Sequence, residues 1–271
     1  EQVFVGVGSD DVLSVAFLTF FNSGRPVLFP DITYSFYDVW AQVYGIPYER
    51  PALDGDFRIR REDYYRENGG IVIANPNAPT SVAEGLGFIE DIVRHNQESV
   101  VVVDEAYVDF GGTSALPLLS KYENLLIVQT FSKSRSMAGV RIGYAMGHPT
   151  LIRAMNDVKY SINSYTMNYP SLLLGAAAIK DDTYFKECCE KIIRTREWAK
   201  DALCGLGFAC LESSANFLFA THESMPAKKI FAALKERGIF VRYFDRPRID
   251  NYLRITVGTQ EQMEKLGKAL A

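Results

Sequence analysis

The stretch "SVVVVDEAYVDF", residues 99–110, decides the reading of the fold. Its four consecutive valines leave no polar face, as in strands buried on both sides within parallel sheets. Asp104 then ends the run, so its carboxylate emerges where the buried strand stops. On the residues alone it is a helix cap, a strand-end acid, or a group able to hold a protonated ring nitrogen. Tyr107 follows three residues on and can offer its phenol to the same ligand.

The same texture recurs on both sides. "QVFVGVG" (2–8), "PVLFP" (26–30), "GGIVIANP" (69–76), "NLLIVQTFS" (124–132) and "VRIGYAMG" (140–147) read as strands. Between them, residues 10–22, 35–45 and 85–96 carry helical periodicity, the first capped by Ser9 or Asp10. Strand and helix in regular alternation predict an α/β domain, a mostly parallel sheet wrapped by helices. The texture changes after about residue 150. Residues 169–204 read as helical, and short strands at 208–213, 215–222, 239–244 and 252–258 surround a helix near 226–238. We therefore expect a large domain over 1–168 and a smaller α+β domain over 169–271.

At 271 residues, 48% hydrophobic and 13% aromatic, the chain can fill such a core. A net charge of −4 gives no footprint for nucleic acid. No apolar run approaches the ~20 residues of a membrane span. The cysteines at 188, 189, 204 and 210 form no C-x-x-C pair, which predicts reduced structural thiols and a cytoplasmic location. His95, His148 and His222 lack ligand spacing, so no metal is expected. The start, "EQVFVGVGSDD", reads as a strand already under way, which suggests a missing N-terminal segment.

Ligands of open parallel sheets bind beyond the carboxyl ends of the strands, so the residues delivered there are the candidates. "GVGSDD" offers Ser9 and Asp10 at a helix start, where free N–H groups attract anions. "DITYSFYDVW" places Tyr34 at a strand-to-helix junction, and "IANPNAPTS" supplies Asn75, Asn77 and Thr80. "TFSKSRSMAGVRIGYAMG" (130–147) surrounds Lys133 with Thr130, Ser132, Ser134 and Ser136 and returns with Arg141. Hydroxyls and a guanidinium suit a phosphate, and a lysine beside it is a counter-charge or an imine-forming nucleophile. Amine, buried acid, aromatic plate and phosphate cradle together suit a phosphorylated pyridine aldehyde.

In order, "GSDD", "ITYSFY", "NPNAPTS", "DEAYVDF", "TFSKSRSMAGVRIGY", "ANFLFA" and "YLRITVGT" resemble the motifs of fold-type I pyridoxal-phosphate aminotransferases. The likeness is greatest to the histidinol-phosphate aminotransferase family and runs from residue 3 to the end. The resemblance implies pyridoxal 5'-phosphate as cofactor, Lys133 as its covalent anchor and proton shuttle, Asp104 as partner of the ring nitrogen, and Tyr107 on the ring oxygen. Tyr34 matches the stacking tyrosine; Ser9, Asp10, Thr130, Ser132 and Arg141 match the phosphate cup, and Asn77 the cofactor-contacting asparagine. Arg254 matches the arginine for a substrate carboxylate, Arg242 a candidate for a substrate phosphate, and Asn216 the substrate pocket. Two departures stand out: Ala78 precedes Pro79, and Ser81 replaces the usual glycine. The implied activity is a ping-pong transfer of an amino group between a small amino donor, the amino-phosphate histidinol phosphate, and a 2-oxo acid, 2-oxoglutarate, by a homodimer whose N-terminal arm reaches the neighbouring subunit. Alternatives are a phospho-amino-acid decarboxylase, an aromatic aminotransferase, or a cofactor-binding module without turnover.

Overall fold

The structure, a computed structural model, describes residues 1–271. Chain order runs β1 (Val3–Gly6), α1 (Ser9–Phe20), β2 (Val27–Leu28), α2 (Phe36–Val43), β3 (Tyr48–Glu49), β4 (Gly70–Ala74), α3 (Leu86–His95), β5 (Val101–Asp104), β6 (Leu125–Thr130) and β7 (Gly143–Gly147). It continues α4 (Pro149–Ile162), α5 (Tyr169–Lys180), α6 (Asp182–Cys204), β8 (Phe208–Cys210), β9 (Phe217–His222), α7 (Ala227–Glu236), β10 (Arg242–Tyr243), β11 (Leu253–Thr256) and α8 (Gln260–Leu270).

The first seven strands form one sheet in the order β1-β7-β6-β5-β4-β2-β3. It is parallel from β3 through β6 and antiparallel where β7 meets β6 and β1. The valine run lies at its centre, and Val101, Val102 and Val103 are fully buried, as the lack of a polar face requires. Two-residue alternation sorts its side chains between two cores. Val102, Leu126 and Val128 pack on the α1, α2 and α4 side, whereas Val101, Val103, Leu125 and Ile127 pack on the α3 side. Asp104 is in phase with Val102, so it leaves the sheet towards the first layer.

The remaining strands form an antiparallel sheet, β10-β11-β9-β8, with its own core against α6, α7 and α8. A fourth apolar cluster joins the two halves: Ile32, Leu53 and Phe57 pack with Phe219 and Ile249. Arg248 reinforces that junction through Asp31 Oδ2 and the carbonyls of Leu53 and Asp54, each at 2.8 Å.

The structure differs from the sequence reading in four places. Neither Ser9 nor Asp10 caps α1; Gly8 does, with no side-chain bond, and Asp11 instead accepts the Val7 N–H at 2.8 Å. β3 is an edge strand too short and polar to show in the pattern. The helical stretch 169–204 is two helices that part at Asp181, whose side chain caps the second. The strand expected at 239–244 contracts to Arg242–Tyr243.

Candidate active site

The antiparallel insertion of β7 explains why Lys133 and Arg141 meet. Thr130 at the end of β6 pairs with Gly143 at the start of β7, so the intervening segment turns back on itself beyond the sheet edge. Gly143 also pairs with Gly6 at the end of β1, which brings the start of α1 to the same place. Contact is so close that a Cβ on Gly143 would lie 2.2 Å from the Gly8 carbonyl carbon and 2.3 Å from Ser9 N. Gly8 itself has φ +89°, and a Cβ there would meet Arg141 Nη2 at 2.5 Å. Only glycine fits either position.

A cavity of about 110 Å³ opens here, beyond the carboxyl ends of the parallel strands, as expected for such sheets. Ser9, Asp10, Tyr34, Asp104, Tyr107, Ser132, Lys133 and Arg141 all line it. Lys133 Nζ stands 5.3 Å from the centre of the Tyr107 ring and takes part in none of the chain's ion pairs. Arg141 likewise has no carboxylate partner and donates only to the carbonyls of Ala138, at 3.2 Å, and Val7, at 3.5 Å. Tyr34 donates its hydroxyl to Asp10 at 2.9 Å, and burial together with Asp10 pushes its phenol well above the ordinary value. Burial pushes the Asp104 carboxyl up to about 6, against the opposing pull of the Tyr37 hydroxyl and the Ala106 N–H.

Three expected site residues line neither this cavity nor the wider one beside it. Asn77 is held between its own turn and the loop before α2: its amide nitrogen donates to Ile32 O at 2.9 Å and Thr80 Oγ1 at 3.0 Å, and its oxygen accepts from Thr33 at 2.7 Å. Thr130 donates to Ile142 O at 3.3 Å and accepts from Ser132 N at 3.2 Å, shaping the lysine turn from behind. Asn216 is half-buried, and its carbonyl accepts the Val257 N–H at 2.9 Å.

Tyr34 and Ala78 also border a second, wider cavity of about 640 Å³ between the two sheets. Five arginines line it: Arg50, Arg242, Arg246, Arg248 and Arg254. Arg50 is paired with Asp38 at 3.1 Å and Arg248 with Asp31 at 2.8 Å. The others have no acid. Arg242 and Arg254 stand directly opposite each other across β10 and β11, a juxtaposition of like charges that destabilises a sheet. Neither reaches Asp245 or Asp250 in an ion pair. The Arg254 guanidinium lies 5.1 Å from the Phe217 ring centre, and its buried Nε has no hydrogen-bond partner. A buried donor left unsatisfied is costly, so the arrangement calls for an anion.

Residues 1–270 match the sequence family "Aminotransferase class I and II". The chain belongs to that family. It is 52% identical over 266 residues to the histidinol-phosphate aminotransferase of Lactococcus lactis subsp. lactis (strain IL1403), covering 98% of this chain and 74% of that protein. The enzyme of the same name from Clostridium botulinum (strain Kyoto / Type A2) is 50% identical over 264 residues, covering 97% and 75%. The crystal structure of histidinol-phosphate aminotransferase from Sinorhizobium meliloti, in complex with pyridoxal-5'-phosphate, shares the fold at a TM-score of 0.89 and 24% identity, covering 99% of this chain and 76% of that one. This is a pyridoxal-phosphate-dependent aminotransferase family, and the fold is fold-type I.

The small cavity suits that cofactor. It provides an amine free of acid partners, a buried acid, an aromatic plate, and a guanidinium beside a helix start with no side-chain cap. Tyr37 is the functional neighbour that sequence reasoning missed. It lies in the first turn of α2, three residues after Tyr34, whose ring it meets edge-on at 5.6 Å, and an aromatic there reads as core. Arg246 and Arg248 were missed as well, because an exposed loop rich in charge carries no periodic signal.

Proposed function

We propose that this chain transfers the amino group of histidinol phosphate to 2-oxoglutarate, yielding imidazole acetol phosphate and glutamate. The observation that carries this reading is the facing pair Arg242 and Arg254 beside the lysine cavity, both without an acid partner and Arg254 with a buried, unsatisfied Nε, since both amino donors bring anionic groups. Glutamate has two carboxylates; histidinol phosphate has a phosphate and no carboxylate. Arg254, the more buried, takes the glutamate α-carboxylate, and Arg242 takes the phosphate of the other donor as a charge-assisted contact.

Lys133 would hold pyridoxal 5'-phosphate at its Nζ, and once the substrate amine has taken that place the freed nitrogen would accept the proton from the substrate carbon that bears the amine. The bound ring supplies an electron sink for that proton removal. Asp104 holds the ring nitrogen protonated, and Tyr107 offers its phenol to the ring oxygen. Tyr34 covers the ring face. Arg141, Ser132 and the first N–H groups of α1 receive the phosphate, a dianion suited to a helix N-terminus.

The large domain ends at about residue 168 in this reading, and the enzyme works as a homodimer in the cytoplasm. Exposed Tyr165, Tyr169, Leu172, Leu173 and Leu174 support the dimer, because α5 packs directly behind the Arg141 turn through Ser171 Oγ on Val140 O at 2.7 Å. No helix is long and apolar enough to cross a membrane. The deciding experiment is single-turnover kinetics with histidinol phosphate and glutamate separately, in wild type, Arg242→Ala and Arg254→Ala. Equal losses for both donors in both variants would remove this division of labour.

A further inference from the structure

Asp104 leaves β5 among Phe17, Phe29, Tyr37 and Trp40, an apolar layer in which an unaided carboxylate is costly. Two protein donors meet it. Tyr37, fully buried and outside the cavity lining, donates its hydroxyl to Oδ2 at 2.7 Å. The Ala106 N–H donates to Oδ1 at 3.2 Å. The Tyr37 hydroxyl makes no other hydrogen bond, so its single polar task is this oxygen.

We propose that Tyr37 is a positioning residue: its phenol fixes the plane of the Asp104 carboxylate and keeps it ionised before the cofactor arrives. The inference rests on the pyridoxal-phosphate reading above. Two donors on two oxygens remove the freedom of the carboxylate to rotate, while each oxygen keeps a lone pair for a further donor. The groups facing Asp104 are Asp10 from α1, Tyr34 and Tyr37 around the start of α2, Tyr107 after β5, and Lys133 after β6. Burial raises its carboxyl most; Tyr37 is the strongest opposing influence, followed by Ala106 N–H, with Asp10 adding to the rise and Lys133 opposing it.

Removal of the Tyr37 hydroxyl therefore lets the carboxyl climb further. Between about pH 6 and 7 the site would then present a larger share of neutral acid than wild type does. A protonated ring nitrogen entering it forms the ion pair only after the acid releases its own proton to solvent. Binding in the variant thus carries an extra proton release that binding to wild type lacks.

The test titrates apoprotein with pyridoxal 5'-phosphate between about pH 5.5 and 8.5, for wild type and Tyr37→Phe. Phenylalanine keeps the ring stacked near Phe17 and edge-on to Phe29, so near-UV circular dichroism and Tm should hold. For a carboxyl raised by about one unit, the expected result is a Kd raised about fivefold at pH 6 and about twofold at pH 7, with the gap closed by about pH 8. Calorimetry in buffers of different ionisation heat should record the extra proton released. Coincident profiles, or an offset equal at every pH, would overturn the inference, the second outcome meaning packing only. If the variant does not fold, a ¹³C-carboxyl titration of wild-type apoprotein decides, with Asp104→Asn as the assignment control. An Asp104 carboxyl still protonated at about pH 8 overturns the proposal, and one ionised below neutrality supports it. Failure of wild type to take up pyridoxal 5'-phosphate would sink the cofactor reading instead, leaving the carboxyl titration to judge Tyr37.

Discussion

The two cavities that meet at Tyr34 and Ala78 follow opposite electrostatic plans. In the smaller, the buried acid already has its donors, and Tyr34 is tied to Asp10. In the larger, three arginines have no carboxylate partner, and two of them face each other across adjacent strands. The difference corresponds to residence. A cofactor that stays bound can be met by groups held rigidly in advance, whereas alternating substrates need charge that is left open for each arrival. The supports differ in the same sense: the central sheet holds the first cavity, and a two-residue strand with an exposed loop holds much of the second.

The sharpest way to break the contrast is Lys133→Ala. Transamination should fall by about 10⁴-fold or more, since anchor and proton carrier are lost together. Borohydride trapping in wild type should label Lys133; label on another lysine would show the smaller cavity to be the wrong one. Asp104→Asn comes next. We expect a loss of about 4 kcal/mol or more in the chemical step with the fold intact, read by single-turnover rates. A near-wild-type rate would reduce Asp104 to a strand-end acid.

The larger cavity should respond selectively. Arg242→Ala should cost about 2–4 kcal/mol with the phosphorylated donor and much less with glutamate. Arg254→Ala should weigh mainly on the glutamate half-reaction. Both variants should bind pyridoxal 5'-phosphate normally, because neither arginine lines the smaller cavity.

The smallest effect is one of stability. Asp104 has a carboxyl raised from 3.8 to about 6 in the fold, so the folded chain binds that proton more tightly than the unfolded chain does. Stability of the cofactor-free protein therefore falls as pH rises from about 4 to 6, and the loss persists above 6. Asp104→Asn should raise Tm of the apoprotein at about pH 7–8, worth roughly 1–3 kcal/mol, and bring no gain near pH 4. Thermal unfolding at the two pH values checks it. A gain of the same size at both would point to packing, and would separate stability from the charge that the smaller cavity retains for function.

Much of the smaller cavity was legible in the chain because each strand announces its own end. The valine run and Asp104 are contiguous, as are the hydroxyls around Lys133. Local pattern failed where a residue's chemistry is spent on a neighbour. Asn77 looks like a ligand in its motif, yet Ile32, Thr33 and Thr80 take up its amide. Ser9 and Asp10 look like caps, but Gly8 starts the helix, and the close passage of Gly143 and Arg141 leaves no room there for a side chain.

Sequence by itself determined the alternation of buried strands and helices, and hence the sheet with its reactive groups along one edge. It did so because burial on both faces demands unbroken apolar runs, and a ligand-binding group can enter only where a run stops. Tertiary structure alone decided the pairings. Tyr37 reaches Asp104 across 67 residues, and Arg242 meets Arg254 only through the register of β10 on β11. Side-chain period is a property of neighbouring residues, whereas register and the partner of a buried polar group depend on how separate elements dock.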